Sequence, residues 1–164
     1  MNVKLKIAAL FVCMTVVCGA KPCHSDQSER ANNFTCTLAT GGDTTLYSVQ
    51  AEAVLLFFYD PTCDECHELM ARLDESPVIT RLIEDKHLIV MAVYPEEDVD
   101  VWRENMDYVP ETWLNGYDPG AKIILDDLYD FSTLPTLYLL DRQKCYLLKK
   151  TTADEVEITL ENLF

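Results

Sequence analysis

The sequence predicts an α/β fold, a central mixed β-sheet flanked by helices, on three observations. Apolar runs of strand length at residues 53–59, 88–94 and 136–140 alternate with segments of helical period. A turn at 141–144 joins the last of these runs to another strand-like stretch, 145–150, which adds an antiparallel edge to a parallel sheet. A thiol pair, Cys63-Asp64-Glu65-Cys66, stands where the first strand gives way to a helix.

The elements follow in order. Residues 44–49 have strand character, and the run 53–59 reads as a buried strand ended by the Asp60-Pro61 turn. Cys66, Leu69, Met70 and Leu73 recur at i, i+3, i+4 and i+7, which predicts an amphipathic helix over 63–73. Ser76-Pro77 supplies an N-cap and an N1 proline for a second helix with Val78, Ile79, Leu82 and Ile83 on one face. The continuously apolar 88–94 suits a central strand covered on both sides. Glu96, Glu97 and Asp98 suit the positive end of a helix striped by Val99, Trp102 and Met106 and closed by Pro110. Residues 113–117 read as a short strand or an irregular segment, and 121–129 as a helix. Thr152 and Glu155 form a capping box for a terminal helix carrying Val156, Leu160 and Leu163.

A length of 164 residues accommodates one domain with a sizeable core. Lys4 and Lys6 precede an uncharged stretch, 7–18, too short to span a bilayer comfortably, and Cys18-Gly19-Ala20 offers small residues for cleavage. Residues 1–20 are therefore expected to be a signal peptide, 21–43 a flexible polar tail and 44–164 the folded domain. An exported, periplasmic location follows, with lipid tethering at Cys18 or Cys23 left open. Such a compartment preserves disulfides, and the five cysteines left after cleavage are Cys23, Cys36, Cys63, Cys66 and Cys145. An odd count leaves at least one thiol free or paired elsewhere. Cys23 and Cys36 either close a small loop or stay unpaired in the tail, and Cys145 is expected as a small buried hydrophobe.

The formal charge of −15 excludes nucleic acid, because no basic stripe could neutralise phosphates, and disfavours anionic membrane surfaces. Cys63-x-x-Cys66-His67 matches a c-type haem attachment pattern, but a strand-then-helix context in a β/α order is unlike the small helical folds that use it. One Cys pair with His24 and His87 remote falls short of a zinc set. Pro61-Thr62-Cys63 lacks the spacing of a peroxide-activating site. What remains is a redox dithiol or, as the alternative, a structural disulfide in a non-catalytic binding module. Free amides at a helix start favour a thiolate at Cys63, and Cys66 lies one turn on, within reach of it.

Asp64 and Glu65 work against that thiolate. A carboxylate roughly 7 Å away costs it on the order of 1 kcal/mol at intermediate dielectric. Two of them rival the roughly 0.3–1 kcal/mol of a helix terminus. His67, at i+4 from Cys63, offsets part of this when protonated. The balance predicts a fairly reducing couple.

The element order, the dithiol after the first central strand and Leu134-Pro135-Thr136 before a later one together resemble the thioredoxin fold over roughly residues 45–164. The phrases at 56–63 and 134–141 are similar to the TlpA-like thiol–disulfide proteins exported by Gram-negative bacteria, particularly Bacteroidetes, as is an αβ insertion between Trp113 and Tyr129. The resemblance implies that Cys63 attacks, that Cys66 resolves, and that Pro135 carries a cis peptide bond beside the dithiol. Leu134, Pro135 and Thr136 would form the edge on which a substrate docks, with Tyr59, Asp60, Pro61 and Thr62 shaping the approach. No dissociable cofactor would be needed. The partners would be disulfide-containing exported proteins and a membrane thiol–disulfide electron donor. Three positions depart from the pattern: Thr62 replaces a Trp, while Phe57 and Leu69 stand where relatives keep a buried acid. General-base assistance during resolution is left without an assigned residue.

Overall fold

The structure, a computed structural model, describes residues 29–164. The expected signal peptide, Cys18 and Cys23 lie outside these residues. The strands are β1 (Thr35–Leu38), β2 (Asp43–Thr45), β3 (Ala53–Phe58), β4 (Leu88–Tyr94), β5 (Leu114–Tyr117), β6 (Thr136–Asp141) and β7 (Tyr146–Thr151). The α-helices are α1 (Asp64–Asp74), α2 (Pro77–Glu84), α3 (Val99–Glu104), α4 (Lys122–Leu125) and α5 (Ala153–Leu163). One seven-stranded sheet runs β2-β1-β5-β4-β3-β6-β7. β3, β4 and β5 are parallel, and β6, β7, β1 and β2 join antiparallel. The mixed sheet read from the sequence is therefore present.

Period-two alternation splits the central strands between two cores. Leu55, Phe57 and Tyr59 of β3 and its extension pack with Val90, Ala92, Cys66, Met70, Leu73, Ile79 and Leu160 on one face. Val54, Leu56 and Phe58 pack with Met91, Val93, Phe34, Ile123 and Tyr129 on the other. A strand flanked on both sides by strands and on both faces by side chains is a rigid support, and the dithiol hangs from its end.

Local chemistry explains the helix boundaries. Ser76 caps α2 by accepting from the Ile79 amide, and Thr152 and Glu155 cap α5 reciprocally. The third helix starts at Val99 rather than at Glu96, because the Asp98 side chain accepts from the Val101 amide and so fixes the cap three residues later. The helix expected over 121–129 is a single turn, α4, since Asp127 adopts a left-handed φ of 50° that stops it.

Three expectations about the N-terminal part and the cysteines are corrected. Residues 29–43 are not a tail: Arg30 bridges Cys145, and β1 pairs with β2 and with β5. Cys36 is a free, fully buried thiol, so it closes no loop with Cys23. Burial, reinforced by Asp118 and Asp43, pushes this thiol up to about 12. Cys145 is buried as expected, yet it is disulfide-bonded rather than an inert hydrophobe. Among the described residues, no helix is long and apolar enough to cross a membrane.

Candidate active site

β3 ends at Phe58, and Tyr59 continues the same line into the core before the chain reverses. The reversal is an Asx turn. Asp60 Oδ1 accepts from the Thr62 amide at 2.7 Å and from the Thr62 hydroxyl at 2.8 Å. The Asp60 carbonyl takes the Cys63 amide at 3.1 Å. This turn delivers Cys63 as the N-cap of α1, with extended backbone and a half-buried side chain.

At the cap, the sulfur does what an oxygen usually does. Cys63 Sγ accepts a hydrogen bond from the Cys66 amide at 3.2 Å. The thiol proton points instead to Glu65 Oε2 at 3.4 Å, a bond open to the thiol and closed to the thiolate. One turn on, Cys66 is fully buried against the sheet. Both sulfurs are free thiols. Burial first, then the hydrogen bond with Cys63 and the charges of Cys63 and Asp60, push the Cys66 thiol up to about 12. The Asp60 backbone amide facing its sulfur opposes that rise. The pair is therefore asymmetric, with one sulfur accessible and amide-bonded and the other sequestered and protonated.

His67 is turned away from the sulfurs. Its Nε2 meets the Pro61 carbonyl at 2.8 Å, and its ring lies against Tyr108. Met91 packs on the sheet face opposite Cys66.

Pro135 reaches the same end of the sheet by topology. β3 and β6 are antiparallel, with Phe58 opposite Thr136, so the exit of β3 toward the dithiol and the entry of Pro135 into β6 are neighbours. The Leu134–Pro135 peptide bond is cis. Pro135 and Leu134 are half-buried, and the hydroxyl of buried Thr136 donates to the Thr133 carbonyl. Thr62 is exposed beside Cys63.

One feature escaped the sequence reading. Behind Cys66 a polar knot is buried in the core: Asn115 Oδ1 accepts from Tyr59 Oη at 2.9 Å and from Trp102 Nε1 at 3.0 Å. No local pattern marks Asn115, whose partners are remote in sequence.

A mixed sheet with β3 at its centre, a Cys-x-x-Cys helix start and a cis-proline strand beside it define a thioredoxin-like protein. No family model matches the chain, and no curated protein does. Solved structures do. A thioredoxin-like protein from Bacteroides caccae is 41% identical with a TM-score of 0.80, over 82% of this chain and 49% of that one. The C-terminal domain of an uncharacterized protein from Bacteroides fragilis is 42% identical with a TM-score of 0.79, over 82% and 96%. A conserved protein of unknown function from the same species is 32% identical with a TM-score of 0.78, over 83% and 99%. The chain thus spans about half the length of the Bacteroides caccae protein. It belongs to this thioredoxin-like family of Bacteroides proteins, in keeping with the TlpA-like resemblance of its sequence.

Proposed function

We propose that the protein is a thiol:disulfide oxidoreductase that reduces protein disulfides. One observation carries the reading: a half-exposed thiol caps a helix, and a fully buried partner thiol donates its own amide to that sulfur. Exchange needs an accessible nucleophile and a second thiol to release the mixed disulfide. Cys63 is the nucleophile. Its thiolate is held by the Cys66 amide and attacks a substrate disulfide. Cys66 then attacks the Cys63 sulfur and frees the reduced substrate. More distant fold neighbours named as thiol–disulfide oxidoreductases, at 18% and 20% identity, share the architecture.

Leu134, Pro135 and Thr136 form the edge that meets an extended segment of substrate, and Thr62 borders it. The reaction uses no dissociable cofactor. Basic residues Lys4 and Lys6 followed by an uncharged stretch support export to the periplasm, where substrates are disulfide-containing exported proteins. A reductant there is recharged by a membrane thiol–disulfide electron donor.

Insulin reduction tests the proposal. Turnover should disappear in Cys63→Ser, and Cys66→Ser should accumulate a covalent mixed disulfide. Turnover unchanged in Cys63→Ser would sink it.

A further inference from the structure

The parallel strands β3, β4 and β5 all end on the side of the sheet from which the dithiol hangs, since Phe58 is level with Val93 and Tyr94 with Tyr117. The segments that leave these ends, 59–65, 95–98 and 118–127, therefore share one side of the molecule with Cys63. Their charges are almost all of one sign: against the cation Lys122 stand nine carboxylates. Three are spent locally, Asp60 on Thr62, Asp98 on the Val101 amide and Asp118 on the Gly120 and Ile123 amides. The other six, Asp64, Glu65, Glu96, Glu97, Asp126 and Asp127, are exposed, and none makes an ion pair with a described residue. The opposite end of the sheet is balanced, because segments 84–87 and 141–144 set Lys86, Arg142 and Lys144 against Glu84, Asp85 and Asp141. The negative field is thus concentrated on the side that carries the reactive thiol.

An apolar foothold belongs to the same side. Leu125 is 76% exposed, yet the turn that bears it is pinned from below. Ile123 is fully buried, its amide is held by the Asp118 carboxylate at 2.7 Å, and it packs in one cluster with Phe58, the last residue of β3. Tyr129, which follows the turn, lies with its ring 4.8 Å from that of Phe58. Leu125 is therefore displayed on a fixed support joined to the strand that carries the dithiol.

We propose that the protein acts on disulfides held in basic segments of its substrates. The carboxylates of the three loops draw the lysines and arginines that flank the cystine, and Leu125 takes an apolar side chain nearby. The proposal rests on the dithiol reading above and names the substrate class of that same site. In the exchange the substrate S–S bond breaks and the Cys63–Cys66 bond forms. Two electrons and two protons pass from the dithiol to the two substrate sulfurs, which leave as thiols.

Two disulfide-bridged peptides test the charge selection. They share one sequence with a leucine near the bridge and differ only in carrying lysine or glutamate beside the cysteines. Each rate constant with the reduced protein is divided by that with dithiothreitol, which removes intrinsic differences between the two disulfides. The lysine peptide should react about tenfold faster or more at about 20 mM salt, and within about threefold at about 500 mM, where the charges are screened. Combining Glu96→Gln, Glu97→Gln, Asp126→Asn and Asp127→Asn should cut the low-salt preference by about threefold or more. Asn suits the left-handed φ of 50° at position 127, and reaction with an uncharged aromatic disulfide within about threefold of native verifies the fold. Leu125→Ser should slow the lysine peptide by about threefold or more at either salt concentration. Equal rates for the two peptides at low salt, or a preference that neither salt nor the four substitutions reduces, overturns the charge selection. A native rate in Leu125→Ser overturns the foothold. Failure of the native protein to reduce even the uncharged disulfide would instead defeat the dithiol reading itself.

Discussion

The imidazole of His67 lies flat on the phenol of Tyr108, with ring centroids 3.7 Å apart and 11° between the planes. Tyr108 is 57% exposed, so the stack lies at the surface rather than in the core. It ties the first turn of the dithiol helix to the segment after α3. Tyr108→Ala should cost about 0.5–1.5 kcal/mol, the range of aromatic pairs, as read by urea unfolding. A loss beyond about 3 kcal/mol would mean that Tyr108 supports more than this stack.

The asymmetry of the two thiols predicts the order of their modification. With the protein folded and reduced at pH 8, iodoacetamide should label Cys63 alone. Cys66 and Cys36 stay protonated and enclosed, each pushed up to about 12. Mass spectrometry of the digested adduct checks this, and early labelling of Cys66 would contradict the geometry.

Stability at high pH follows from the same two groups. Their thiols ionise more readily in the unfolded chain, near the ordinary value of 9.0, than in the folded one. Below pH 9 both states are protonated and the contribution is fully present. As pH rises from about 9 to about 12, the unfolded chain sheds protons that the folded chain keeps, so stability falls. The urea midpoint of the reduced protein should drop across this window, and Cys36→Ala should flatten part of the slope.

Asn115→Ala strands two buried donors, Tyr59 Oη and Trp102 Nε1. Each unsatisfied group costs about 1–3 kcal/mol, so a combined loss of roughly 2–5 kcal/mol is expected in chemical denaturation. Trp102 fluorescence should shift as its indole loses its partner.

The acidic pair in the dithiol turn sets the redox poise. Glu65 bonds the Cys63 thiol and Asp64 is exposed beside it, so neither supports the thiolate. Equilibration against glutathione should give a potential nearer thioredoxin, about −270 mV, than DsbA, about −120 mV. Replacing both with their amides should move it toward the oxidising end.

Much of this was legible because it is written locally. The runs that became β3 and β4 are apolar throughout, β6 is apolar from Leu137 to Leu140, and the Ser76 and Thr152 caps are set by side chains three residues from the amides they bind. The Cys63 cap could be placed because a buried strand and an amphipathic helix bracket it. β1 was missed because Thr35–Leu38 is four residues long and carries a single fully buried side chain, Cys36, whose environment comes from β5, far along the chain. Asn115 was missed for a related reason. A polar residue looks exposed in a sequence, and only the fold supplies a tyrosine 56 positions away to satisfy it.

The β1–β2 hairpin has a practical consequence. It covers the outer flank of β5, and Cys36 fits so closely there that a methyl group on Gly116 would come 2.9 Å from its sulfur. Expressing only residues 44–164 would strip that cover, leaving a raw line of amides and carbonyls beside a newly wetted apolar floor. Such a flank recruits strands from other molecules. The shortened protein should clump where the longer one stays dispersed, with its dithiol intact but out of reach of substrate.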